Sequence, residues 1–169
     1  MKISRNVLFI LVGSLAIVPA AGAAVDTGDV IVTATVANGC VVTAGSVDFG
    51  PYDTQDPADN TAIGDVTVQC NEGTAATITL GQGANPTGAS TDIVPDRQMA
   101  GTIAGSLLKY GLYSDGAGTV WGNTAATGVD YIGAAGGAAE AITIHGTLPA
   151  LQPAVGGNYV DTVVATITF

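Results

Sequence analysis

The chain has 169 residues, of which 47% are hydrophobic and only 11% charged, with 24 glycines and a formal net charge of −10. Such a chain is one domain at most, too apolar to be disordered and too acidic to bind nucleic acid. Aromatic residues make up just 5%, so the apolar fraction rests on Ala and Val, and a core built from them is thin for its length and needs other support.

Lys2 and Arg5 stand ahead of an apolar run over residues 7–18, which is followed by Pro19 and a string of small residues. This reads as a secretory signal peptide over residues 1–23, with Ala21-Gly22-Ala23 as the cleavage form. The run is too short to anchor the chain, because crossing a bilayer takes about 20 apolar residues. Cleavage leaves 146 residues in which Arg97 and Lys109 are the only cations against fourteen carboxylates, a net charge of −12. Phosphate and anionic-lipid partners are excluded on the same ground. Cys40 and Cys70 are the only cysteines, and in an oxidising compartment they are expected to pair. A loop of that size is worth roughly 3.5 to 4 kcal/mol on the chain-entropy model. A cysteine-based zinc site would need further ligands, and the chain holds a single histidine. No metal and no cofactor is called for.

Beyond the signal, short stretches of period two recur between Gly, Asn, Asp and Pro clusters, the pattern of an all-β sandwich or barrel. The first strand of the body is expected over residues 40–49, and residues 51–61 form a polar loop. Val66, Val68 and Cys70 then alternate with Asp65, Thr67 and Gln69. A turn at residues 71–74 leads to Ala76, Ile78 and Leu80, and the two runs together predict a hairpin. A strand is expected within residues 93–104, and Leu108, Tyr110 and Leu112 mark the next. Residues 114–118 turn the chain toward Val120 and Trp121, and a Gly- and Ala-rich loop runs to about residue 139. Ile142, Ile144 and Leu148 alternate with Thr143, His145 and Thr147. Finally Tyr159, Val163, Ala165, Ile167 and Phe169 share one face of a terminal run.

The chain stops inside that run, so an uncovered sheet edge is expected along Val163, Ala165, Ile167 and Phe169. An N-terminal extension over residues 24–37 carries Val30, Val32, Ala34 and Val36 on one face, between the flexible Asp26-Thr27-Gly28-Asp29 and Asn38-Gly39. It reads as a detachable strand. Residues 28–37 would reach about 33 Å, and their apolar face would contribute on the order of 5 kcal/mol besides a main-chain ladder.

Several stretches carry a family likeness over residues 38–169. They are Gly45-Ser46-Val47-Asp48-Phe49-Gly50, Val66-Thr67-Val68-Gln69-Cys70, Arg97 with Met99, and Leu108-Lys109-Tyr110-Gly111-Leu112-Tyr113-Ser114-Asp115. Val120-Trp121-Gly122, Ile144-His145-Gly146-Thr147-Leu148-Pro149 and Gly157-Asn158-Tyr159-Val160-Asp161-Thr162-Val163 complete the series. In order and spacing the chain resembles the spore coat protein U domain family, which includes subunits of archaic chaperone-usher pili of the Csu type. The resemblance implies an incomplete immunoglobulin-like β-sandwich lacking its last strand, with the N-terminal extension as a donor strand. It implies as partners a periplasmic pilus chaperone, an outer-membrane usher and neighbouring pilin subunits. The product would be an extracellular, cell-surface fibre serving attachment and biofilm growth.

Other chemistries are weighed against the same residues. A hydrolase needs a base and an orienter beside its nucleophile, and the lone His145 falls on the polar face of a strand. A glycosidase needs a paired-carboxylate cleft and a sugar platform, for which aromatics are few. Asp53, Asp56, Asp59 and Asn60 could offer oxygens to calcium, though their spacing is not that of an EF-hand and a solvated loop is the expectation. Trp121 with Tyr113 and Tyr131 would make a binding platform if exposed, but a Trp at such a turn more often plugs the end of a sandwich. The alternative to strand donation is a self-complete surface- or carbohydrate-binding module, or a cell or spore coat protein.

Overall fold

The computed structural model of the protein describes Gly22 and residues 25–169, and divides the chain into a unit Met1–Thr35 and a unit Val36–Phe169. The signal peptide read over residues 1–23 therefore lies outside the described residues except for Gly22. Residues 25–39 carry no regular secondary structure, and Val30 and Val32 leave more than four-fifths of their surface exposed. No helix among the described residues is long and apolar enough to cross a membrane.

The body is built from nine strands: β1 Cys40–Ala44, β2 Asn60–Cys70, β3 Ala75–Leu80, β4 Arg97–Gly101, β5 Leu107–Tyr113, β6 Val129–Ile132, β7 Glu140–Leu148, β8 Tyr159–Val160 and β9 Ala165–Thr168. One sheet runs β1-β2-β7-β5-β4-β8 and the other β6-β3-β9, every pair antiparallel. The period-two pattern tells directly which residues face inward. Val66 and Val68 of β2, Ile78 and Leu80 of β3, Leu108 and Leu112 of β5, and Ile144 and Leu148 of β7 are all buried, and Thr143 and Gln69 between them are exposed.

The hairpin expected between residues 66–70 and 76–80 does not form. Cys70 lies opposite Cys40, while Ala75 lies opposite Ile132 in the other sheet. The turn at residues 71–74 is a corner between sheets, held by hydrogen bonds from Thr74 N to Asn71 O, from Gly73 N to Gly133 O and from Gly133 N to Thr74 O. Alternation reports that a face is buried, and it reads the same whether two runs pair or face each other across a core. The strand expected over residues 40–49 ends at Ala44, and that expected within residues 93–104 is confined to Arg97–Gly101. Inside the loop expected up to residue 139 lie β6 and two short 3-10 turns, Ala125–Thr127 and Ala135–Gly137. The terminal run is split as well, for β8 pairs with β4 in the larger sheet and β9 with β3 in the smaller.

Residues 45–49 leave the sheet and lie across the inward face of β2 and β7, where two glycines make room. A Cβ at Gly64 would stand 2.5 Å from the carbonyl oxygen of Ser46, and one at Gly146 2.8 Å from Val47 and 2.9 Å from Phe49. Gly64→Ala meets backbone and is expected to cost about 1–3 kcal/mol, whereas at Gly146→Ala side chains can give way and the cost is smaller. Urea midpoints of the two variants check the order.

Candidate functional site

In β9 the inward residues Ala165 and Ile167, with Val163 before them, pack on the core yet are only half buried. Between them Val164 is 66% exposed, and Phe169 beyond them is 57% exposed. Among the described residues β9 pairs with β3 alone, so the amides and carbonyls on its other side form an open edge. The edge of the larger sheet comes near it, Cα atoms of β1 and β9 approaching within 8 Å. Val42 of β1 and Ile142 of β7 are likewise inward-facing and half buried. Further along, a cleft of about 960 Å³ opens between residues 47–54 and residues 154–159, with Met99, Leu108 and Leu148 on its floor. An apolar core is thus left partly uncovered beside an unpaired strand.

Buried polar contacts hold the strands that frame this edge. Arg97 of β4 is 1% exposed, and its guanidinium donates to the carbonyls of Gly81 (2.8 Å), Leu80 (2.9 Å) and Trp121 (2.8 Å). Trp121 is fully buried and donates through Nε1 to Ile78 O at 2.9 Å. Four carbonyls in and around the end of β3 accept these bonds. Burial draws the Arg97 pKa below its ordinary value, and the nearby Tyr110 and Asp161 act against it. Asp161, between β8 and β9, accepts from Tyr110 Oη at 2.6 Å and from the amide of Ala84 at 2.8 Å. These bonds hold the point where the chain crosses from one sheet to the other.

Burial, and then the bond to Asp161, push the Tyr110 hydroxyl far above its ordinary pKa. The folded state therefore keeps this proton after the unfolded chain has lost it. The stability it contributes is intact below pH about 10 and lost as the pH rises beyond. Tyr110→Phe is expected to cost about 1–3 kcal/mol at pH 7 and to flatten the alkaline fall, which urea unfolding at pH 7 and pH 10.5 measures.

The remaining sequence candidates do not converge. His145 is half exposed on the outer face of β7, opposite Ile63 and Tyr113, with no side-chain partner among the described residues. The aromatic platform is overturned, because Trp121 and Tyr131 are 0% and 8% exposed and face the core. Asp53 and Asp56 cap their own turns, accepting from the amides of Gln55 and Ala58, and Asp59 accepts from Ala150 N. No group of three acidic, His or Cys residues placed to hold a metal occurs among the described residues. Cys40 and Cys70 are joined in a disulfide. What the sequence reading missed is the role of Arg97 and Asp161. The available signal was that Arg97 is one of two cations in the body yet sits in an otherwise uncharged strand.

Comparison with known proteins agrees with this architecture. The profile of the Spore Coat Protein U domain matches residues 26–166. The chain belongs to the spore coat protein U domain family. The match takes in residues 26–37 ahead of β1 as well as the sandwich. Protein U of Myxococcus xanthus is 38% identical over 159 residues, 88% of each chain. Among solved structures, a chain of the CsuC–CsuE chaperone-tip adhesion subunit pre-assembly complex from archaic chaperone-usher Csu pili of Acinetobacter baumannii superposes with a TM-score of 0.56 at 21% identity. That alignment covers 80% of this chain and 40% of the other, so this spore coat protein U domain spans well under half of its structural neighbour. The likeness is one of fold, an immunoglobulin-like all-β sandwich. Spore coat protein U domains are structural proteins, not enzymes.

Proposed function

We propose that this spore coat protein U domain is the structural subunit of a cell-surface fibre, polymerised head to tail by donation of the N-terminal strand. The observation that carries the reading is the open edge of β9 over a half-covered apolar face. The chain supplies a matching segment over residues 24–37, in which Val30, Val32, Ala34 and Val36 recur at every second position, and its described residues 25–37 are in no strand. Strand addition to such an edge gains main-chain bonds along the ladder and apolar burial from every second side chain. The donor of one copy lies against Val163, Ala165, Ile167 and Phe169 of the next.

Before assembly the edge must be covered. The solved neighbour comes from a complex of a chaperone with a pilus subunit before assembly, which supports a periplasmic chaperone that lends a strand and an outer-membrane usher at which the next subunit replaces it. The exchange is driven by better fit and needs no nucleotide. A fibre of this kind, soluble at a net charge of −12 per subunit, serves attachment to surfaces and biofilm growth. The family's own description favours a second reading, in which the same polymer is laid down as a cell coat. Immunogold electron microscopy separates them, as labelled filaments or as a continuous layer. The central test is the state of the purified mature chain. Without a chaperone it is expected to give a ladder of SDS-resistant polymers, and a stable monomer under all conditions would overturn the reading.

A further inference from the structure

The disulfide joins the first residue of β1, Cys40, to the last residue of β2, Cys70, at directly opposed positions of an antiparallel pair. Gly39 extends the pairing, its carbonyl accepting from Asn71 N at 2.9 Å. Beyond Cys70 only the corner at residues 71–74 separates the bridge from β3, and β3 carries β9. That corner is itself braced against Gly133 by two backbone bonds. The bridge thus opens a covalent route from Gly39 to β3 that leaves out residues 41–69.

We propose that this route is the tension path of the assembled fibre. Load arriving at Gly39 crosses from Cys40 to Cys70, passes into β3, and leaves through the β3–β9 ladder into the strand donated by the next copy. The proposal rests on the strand-donation reading above. Without the bridge, the same load falls on β1, an edge strand held to β2 by five residue pairs. Stripping β1 then drags away residues 45–59. These include Val47 and Phe49, which cover part of the core, and Tyr52, whose hydroxyl donates to Pro149 O at 2.8 Å. With the bridge closed, that part of the core cover and the long β2–β7 ladder lie off the path.

The test is to assemble fibres oxidised and stretch single fibres before and after treatment with dithiothreitol. The reagent opens the bridge by thiol–disulfide exchange, forming two cysteine thiols while the dithiol closes to its own cyclic disulfide. Thiol labelling confirms that the bridge has opened. Reduced fibres are expected to yield at lower force. Each subunit should lengthen further by up to about 100 Å, the reach of a separation of 30 residues. Fibres of the Cys40→Ser, Cys70→Ser double variant, where they assemble, should behave like reduced ones. Force and extension curves that coincide in the two redox states would overturn the tension path alone. A mature chain that forms no fibre removes the strand-donation reading and this proposal with it.

Discussion

Deleting residues 24–37 is expected to abolish the SDS-resistant ladder while leaving a subunit that still accepts a strand. The deleted segment contains the alternating Val30, Val32, Ala34 and Val36 and none of the strands of the body, which begin at Cys40. Head-to-tail contacts are heterologous, so a subunit with an intact β9 edge and no donor can be joined on one side only. Mixed with the intact chain it should shorten polymers in proportion to its share, and gel ladders or fibre lengths by electron microscopy measure this. Loss of the last five residues should act differently. It removes β9, leaving β3 paired on its β6 side alone and uncovering Ile78 and Leu80, both buried. At roughly 1.5–3 kcal/mol for each large side chain exposed, the body itself is compromised, and the truncated chain is expected to be degraded without reaching the cell surface. A ladder that survives the first deletion, or normal surface fibres from the second, would contradict strand donation at this edge.

Arg97→Met should produce a large loss of stability. The methionine keeps much of the apolar stem but leaves the carbonyls of Leu80, Gly81 and Trp121 with no donor from this side chain. Hydrogen bonds from a charged donor are worth about 1.5–3 kcal/mol each, and a buried acceptor left alone adds its desolvation cost. Removing the buried guanidinium also relieves its own desolvation, which offsets part of that sum, and the net loss of about 3–5 kcal/mol is comparable to the whole stability of a small domain. Arg97→Lys should recover little, because a single ammonium cannot span acceptors that the guanidinium reaches from two nitrogens. The expected outcome in urea is a large fall in midpoint for both variants at an unchanged slope. A midpoint within about 1 kcal/mol of the parent would remove Arg97 from its role as the tie between β4 and the end of β3.

How much of this could be read from the residues differs by element. The inward faces of β2, β3, β5 and β7 were legible because a strand with one buried face must alternate, whatever it pairs with. β6 was not, since Val129, Asp130, Tyr131 and Ile132 sit within a Gly- and Ala-rich stretch and are too few to show a period. The apolar β9 residues were legible as one face, but their separation from Tyr159 into another sheet was not. That break depends on Asp161, whose partners Tyr110 and Ala84 are distant in sequence.

The amino-acid sequence by itself determined that the chain is an acidic, all-β protein, which residues face a core, and that its two cysteines would meet. Each of these follows from local composition or from a period of two. Only the tertiary structure decided which runs share a sheet, and with that which strand the terminal run, expected from the sequence at an edge, pairs with. Pairing partners such as β2 with β7 and β3 with β9 lie far apart along the chain. Their choice is made by the sum of core packing over the whole body, which the order of neighbouring residues does not carry.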